Sequence, residues 1–270
     1  MSDVGRLYGG YLFDLDGTVY LGDNLLPGAL EAVTALRERG CRTLFLSNNP
    51  TRDPQMYADK LACLGLPTPV GHIVNTVVTM VGWLRTHAAG SSVFVIGEEP
   101  LQRAIRDAGL RLTTRPDEID IVVASYDRGF DYGKLQIAFD ALWGHRRARL
   151  VATNPDPYCP VAVGRGEPDA AAVIAAIEAC TGVRCEVNVG KPSAVMLETA
   201  TRALGLPPAD CLMVGDRLTT DIAMAVAAGV DSALVLTGET TAAMAEAAPA
   251  PLRPSYVLDR LDDLLAPVPS

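Results

Sequence analysis

At 270 residues, with 49% apolar and 20% charged residues, the chain is long enough for a core domain with an insertion and too apolar to be disordered. Its formal charge of −9 argues against a nucleic-acid partner, whose phosphate backbone it would repel, and no run is apolar enough to span a bilayer. The six cysteines (Cys41, Cys63, Cys159, Cys180, Cys185 and Cys211) form no C-x-x-C pair, and several lie in apolar runs; buried free thiols in a reducing compartment are expected. Asp14 and Asp16 interrupt the first apolar stretch before it reaches signal-peptide length, so no leader and a cytoplasmic location are expected.

In chain order, residues 11–13 read as a short buried strand that ends in Asp14-Leu15-Asp16-Gly17-Thr18, residues no core would choose. A flap over 17–27 follows, with Gly22-Asp23 and Pro27-Gly28 as turn signals. A helix from about residue 28 places Leu30, Val33, Ala35 and Leu36 on its apolar side and stops at Gly40. The next strand, 41–46, runs into Ser47-Asn48-Asn49-Pro50-Thr51. A second α/β series fills the middle: helix 76–87, strand 93–96, helix 100–108, strand 119–123, helix 132–142, strand 149–152 and helix 169–180. Residues 186–189 then lead into Gly190-Lys191-Pro192-Ser193 and a helix over 193–204. Strand 211–214 runs into Gly215-Asp216-Arg217, Asp221 opens a helix to 228, and strand 232–236 follows. The Ala-rich stretch 240–251 reads as a surface helix. This order predicts an α/β protein with a doubly wound, mostly parallel, Rossmann-like core sheet. The core domain is formed by 1–76 and 184–270, and a second, smaller α/β domain is inserted over 77–183.

Four apolar runs thus end in polar groups of complementary kinds. If their strands lie parallel in one sheet, Asp14, Asp16, Ser47, Lys191, Asp216 and Asp221 converge at one edge, where open α/β folds place their chemistry. Crowded carboxylates repel one another and call for a cation. No His or Cys cluster accompanies them, which argues against zinc and for a hard, oxygen-preferring ion such as Mg²⁺. Ser47, the amides after it and Lys191 are donors suited to an anion. A divalent cation, an ammonium and hydroxyl donors together suit a phosphoryl group. His72, His87 and His145 have no metal spacing and read as structural, as does Trp83. Gly190-Lys191-Pro192-Ser193 lacks the upstream glycines of a P-loop.

The four segments resemble, in order and spacing, the four motifs of the haloacid dehalogenase superfamily. Asp16, two residues after the expected nucleophile, marks the phosphatase members. Ser47-Asn48-Asn49-Pro50-Thr51-Arg52, Thr153-Asn154-Pro155-Asp156, Val189-Gly190-Lys191-Pro192-Ser193 and 214–221 are similar to the 4-nitrophenylphosphatase-like branch. The resemblance extends from about Tyr8 to Thr240 and makes the insertion a cap domain. It implies that Asp14 forms an aspartyl-phosphate and that Asp16 acts first as acid, then as base, with Thr18 fixing Asp16. It further implies Mg²⁺ on the Asp14 side chain, the Asp16 carbonyl and Asp216, with Asp221 acting through a water or by orienting Lys191. Ser47 and the Asn48 amide would hold phosphate oxygens, and Lys191 would neutralise charge on Asp14 and the phosphoryl group.

By the same resemblance the loop 153–158 faces the active site, so Asn154 and Asp156 are expected to bind substrate hydroxyls and Tyr158 to stack on a ring. Two readings of Arg128 stay open, a second anion site or a surface pair with Asp127. The branch often has a Gly-rich turn where this chain has Glu167-Pro168-Asp169-Ala170-Ala171, and Gly where it has Ser125. Both departures weaken any transfer of substrate identity. The expected activity is Mg²⁺-dependent hydrolysis of small phosphorylated metabolites, sugar or polyol phosphates first and nucleotide monophosphates second. A phosphomutase, a dehalogenase or a silent metabolite sensor are the alternatives. Relatives often pair through the cap, which leaves a homodimer open.

Overall fold

Strands covered on both faces carry no polar alternation, and the central strand Gly10–Asp14 is buried at every position. The computed structural model describes residue 4, residues 6–162 and residues 165–265. The chain ends at 1–3 and 266–270, assigned above to the core domain, lie outside the described residues. The described residues form two compact units, one drawn from the ranges 1–47, 54–74 and 191–270, the other from 48–53 and 75–190.

The first unit is built on a six-stranded sheet. Its order is Tyr256–Leu258, Asp231–Val235, Cys211–Gly215, Gly10–Asp14, Arg42–Ser47 and Ile73–Asn75, and the pairings among the first five are parallel. Period-two alternation sends Tyr11 and Phe13 to one face, with Phe45, Leu212 and Val214, and Leu12 to the other, with Leu44, Met213, Met196 and Leu197. Helices therefore cover both faces. From Gly10–Asp14 the sheet is built in both directions, toward Arg42–Ser47 on one side and Cys211–Gly215 on the other. A crevice beyond the carboxyl ends of these strands is the place such sheets offer a ligand. The predicted flap is a short hairpin of Tyr20–Leu21 and Asn24–Leu25. The first helix, Ala29–Glu38, buries Ala29, Ala32, Val33 and Leu36, while Leu30, placed on its apolar side above, is exposed. The strand Tyr256–Leu258 was not anticipated, and the expected helix over 240–251 is reduced to Ala242–Glu246 and a 3₁₀ turn, Ala250–Leu252.

The second unit carries a parallel five-stranded sheet ordered Val187–Asn188, Arg149–Ala152, Ile121–Ala124, Ser92–Ile96 and Arg111–Leu112. Phe94, Ile96, Val122, Ala124, Leu150 and Ala152 pack with Ala138, Leu142, Val173 and Ile177 of the helices. The helices start where short polar side chains accept backbone N–H groups: Asn75 caps Thr76–His87, Asp131 caps Tyr132–Phe139 and Asp169 caps Ala170–Thr181. The apolar run 186–189 is expected as a fourth strand of the core sheet, yet Val187–Asn188 pairs with Arg149–Ala152. A two-residue strand has no periodicity that names its partner, so sequence alone could not tell the sheets apart. The segment 184–190 therefore packs with the second unit. A hairpin of Tyr158–Ala162 and Arg165–Pro168, unforeseen in the sequence, completes the unit.

The six cysteines are free, but only Cys41 and Cys211 are buried; Cys63 and Cys180 are exposed, against the expectation of buried thiols. Arg128 does not pair with Asp127: it forms a forked contact with the Glu98 carboxylate, at 2.7 and 2.8 Å, and Asp127 accepts from Lys134. His87 stacks on the buried Trp83. Among the described residues, no helix is long and apolar enough to cross a membrane.

Candidate active site

Parallel pairing of Gly10–Asp14 with Cys211–Gly215 sets Phe13 beside Val214, so Asp14 and Asp216 leave the sheet at the same edge. Asp221 is delivered by a wide helical turn, Leu218–Ile222, rather than by the start of a regular helix. Its Oδ2 accepts the Arg217 N–H at 3.1 Å, which folds the carboxylate back over the turn. Gly215 makes this close approach possible, since a Cβ there would overlap the Asp221 carboxylate. Lys191 follows Gly190 and precedes the helix Ala194–Leu204, which Ser193 caps. Its ammonium donates to Asp14 Oδ1 and, at 2.7 Å, to Asp221 Oδ1.

All four groups are buried: Asp14 is 8% exposed, Asp216 2%, Lys191 3% and Asp221 0%. Three carboxylates face one ammonium, and two of them, Asp216 and Asp221, hold their protons above the ordinary carboxylate range. Burial, then the charges of Asp14 and Asp221, push Asp216 up to about 8. Burial pushes Asp221 up to about 6, against the opposing pull of Lys191. Burial alone would lower the Lys191 pKa, but Asp14 and Asp221 outweigh it and hold the ammonium above its ordinary value. Carboxylate oxygens of Asp14, Asp216 and Asp221 lie within 4.8 Å of one another. An all-oxygen set with surplus negative charge fits a hard divalent cation. Asp221, with one oxygen on Lys191 and the other on a backbone N–H, is placed to orient the lysine.

The other sequence-assigned residues fall as follows. Asp16 is partly exposed, bridges to Tyr20 along the backbone and lies 3.3 Å from the Tyr20 hydroxyl. Thr18, expected to fix Asp16, instead reaches toward Asp216 Oδ1 at 3.5 Å. Ser47 ends the strand Arg42–Ser47, and its hydroxyl is 2.9 Å from that of the buried Tyr57. Asn48, Asn154 and Asp156 meet within the second unit. Asn48 Nδ2 donates to Asp156 Oδ2 at 2.9 Å. Asn154 donates to Asp156 and Asp169, at 3.1 and 3.0 Å, and accepts from the Thr153 hydroxyl at 2.7 Å. Wholly buried, with both amide hydrogens and its oxygen engaged, Asn154 shapes the loop from within.

One part of the site escaped the sequence reading: the turn Thr237-Gly238-Glu239. The Glu239 N–H donates to Asp216 Oδ2 at 2.7 Å, and the Thr237 hydroxyl donates to the Gly17 carbonyl at 2.8 Å. A backbone donor leaves no side-chain signature; the only available signal was a second Gly-containing turn one strand after Asp216.

A sequence model of the haloacid dehalogenase-like hydrolases matches residues 11–111, and a HAD-hydrolase-like model matches 188–264. The sugar-phosphatase AraL of Bacillus subtilis is 38% identical over 255 residues, covering 94% of this chain and 91% of that protein. The 5'-nucleotidase YutF of the same bacterium is 36% identical, covering 87% and 90%. A 4-nitrophenylphosphatase from Thermotoga maritima matches with a TM-score of 0.90 at 32% identity, over 97% of this chain and 98% of that one. A glycerol phosphate phosphatase from Mycobacterium tuberculosis, solved in complex with magnesium, matches with a TM-score of 0.88 at 32% identity, over 98% and 79%. The chain belongs to the haloacid dehalogenase-like hydrolases, among the 4-nitrophenylphosphatase-type phosphatases. It is a phosphoric monoester hydrolase.

Proposed function

We propose that the protein hydrolyses small phosphate monoesters with Mg²⁺ through a phosphorylated Asp14, acting on sugar or polyol phosphates first and nucleotide monophosphates second. The observation that carries this reading is the Lys191 ammonium shared by Asp14 and Asp221 beside Asp216. It leaves Asp14 oriented and next to positive charge, as a nucleophile toward an anionic phosphoryl group must be. The named activities of AraL and of the glycerol phosphate phosphatase favour a sugar or polyol ester, and that of YutF supports the second choice.

Asp14 attacks phosphorus in line with the ester oxygen; the Asp14–phosphorus bond forms as the ester bond breaks, and Asp16 gives its proton to the departing alkoxide. A water then attacks the same phosphorus, releases Asp14 and returns a proton to Asp16. Ser47 and the Asn48 amide hold phosphoryl oxygens while Lys191 balances the charge. The Asp14 and Asp216 side chains and the Asp16 carbonyl would hold Mg²⁺, which supplies the positive charge that lets two anions approach. Tyr158, 44% exposed, would be the group to stack on a base.

Phosphate release from a panel of sugar, polyol and nucleoside monophosphates with Mg²⁺ tests this. Polyol or sugar esters are expected to rank first. No release from any ester, including an activated aryl phosphate, would overturn the reading in favour of a silent sensor.

A further inference from the structure

Asp216 is approached closely by two backbone segments. The strand Asp231–Val235 pairs with Cys211–Gly215, Leu234 beside Gly215, so the turn after it arrives next to Asp216. There the Glu239 N–H fixes Asp216 Oδ2 at 2.7 Å. A Cβ on Gly238 would overlap the Asp216 carboxylate, so only glycine lets the backbone come this close. Gly17, at φ +92°, makes a similar approach: a Cβ there would sit 2.6 Å from Asp216 Oδ2. The Thr237 hydroxyl, at 2.8 Å from the Gly17 carbonyl, ties the two gripping segments together. One of them carries Asp14 and Asp16, so a single threonine links the nucleophile segment to the turn that holds Asp216.

We propose that the turn Thr237-Gly238-Glu239 sets the affinity of the site for its divalent cation, with Thr237 as a positioning residue that locks the Asp14–Gly17 segment and Asp216 into one cradle. This rests on the reading of Asp216 as a cation ligand. Groups that orient ligands from behind typically change metal affinity by about 10–100-fold when removed. Thr237→Val keeps the shape and deletes the hydrogen bond, Thr237→Ser restores it, and Gly238→Ala presses a methyl on the carboxylate.

Titration calorimetry with Mg²⁺ on the full chain reads the outcome without turnover, with Asp216→Asn as reference and thermal unfolding as a check of fold. Thr237→Val and Gly238→Ala are expected to weaken Mg²⁺ binding about tenfold, with Thr237→Ser close to wild type. Wild-type affinity in Thr237→Val and Gly238→Ala, with binding lost in Asp216→Asn, would overturn the role of the turn alone. Wild-type affinity in Asp216→Asn would overturn the ligand assignment on which it rests.

Discussion

Asp221 holds Lys191 at 2.7 Å from a position with no exposure, and the same ammonium donates to Asp14. The lysine therefore offsets both Asp14 and Asp221, and its loss leaves these buried carboxylates and Asp216 without its charge. Lys191→Met is expected to abolish turnover and to lower the stability of the cation-free protein by about 3–5 kcal/mol, the usual cost of stranding a buried charge. Urea unfolding measures it. A variant as stable as the wild type would show that the ion pair contributes little.

Stability without a cation should fall as pH rises. Asp216 is raised to about 8 and Asp221 to about 6, so the folded state keeps protons that the unfolded chain has already lost. Their contribution is complete below the ordinary carboxylate range and disappears as pH climbs through about 6 and then about 8. Between these values the melting temperature is expected to drop by roughly 2–4 °C per kcal/mol lost, with on the order of 1 kcal/mol at stake per pH unit. Mg²⁺ should flatten the dependence, because a bound cation favours the ionised carboxylates. Melting curves at several pH values, with EDTA and with Mg²⁺, check both parts.

Ser47 and Tyr57 share a buried hydrogen bond of 2.9 Å. A serine hydroxyl has one proton; when Ser47 gives it to a phosphate oxygen, its lone pair is best met by a donor such as the tyrosine. Tyr57→Phe is expected to raise KM and weaken inhibition by inorganic phosphate about 3–10-fold, matching the roughly 0.5–1.5 kcal/mol of one hydrogen bond, with kcat little changed. Steady-state kinetics with phosphate as inhibitor decides it.

What could be read in the sequence follows a physical line. Asp14, Lys191, Asp216 and Asp221 were legible because charged residues closing apolar runs need a reason to be there, and parallel strands bring their ends together. Long-range pairing was not legible: Glu98 meets Arg128 from 30 residues away, and Val187–Asn188 joined the other sheet. Asn154 and Asp156 were seen as polar loop residues, but only coordinates reveal that Asn154 points inward to Asp156 and Asp169. Glu239 serves Asp216 through its backbone, which no residue type announces. Leu30 illustrates a smaller gap, since one apolar residue beside a helical stripe is as easily solvated as packed.

The central claim is that Asp14 is the nucleophile, and phosphate release by Asp14→Asn with Mg²⁺ and a saturating aryl phosphate tests it most directly. The substitution keeps the shape and removes the attacking charge. The account predicts a fall of at least about a thousand-fold in kcat with the fold intact. Turnover within about tenfold of wild type would contradict it and place the chemistry on another group.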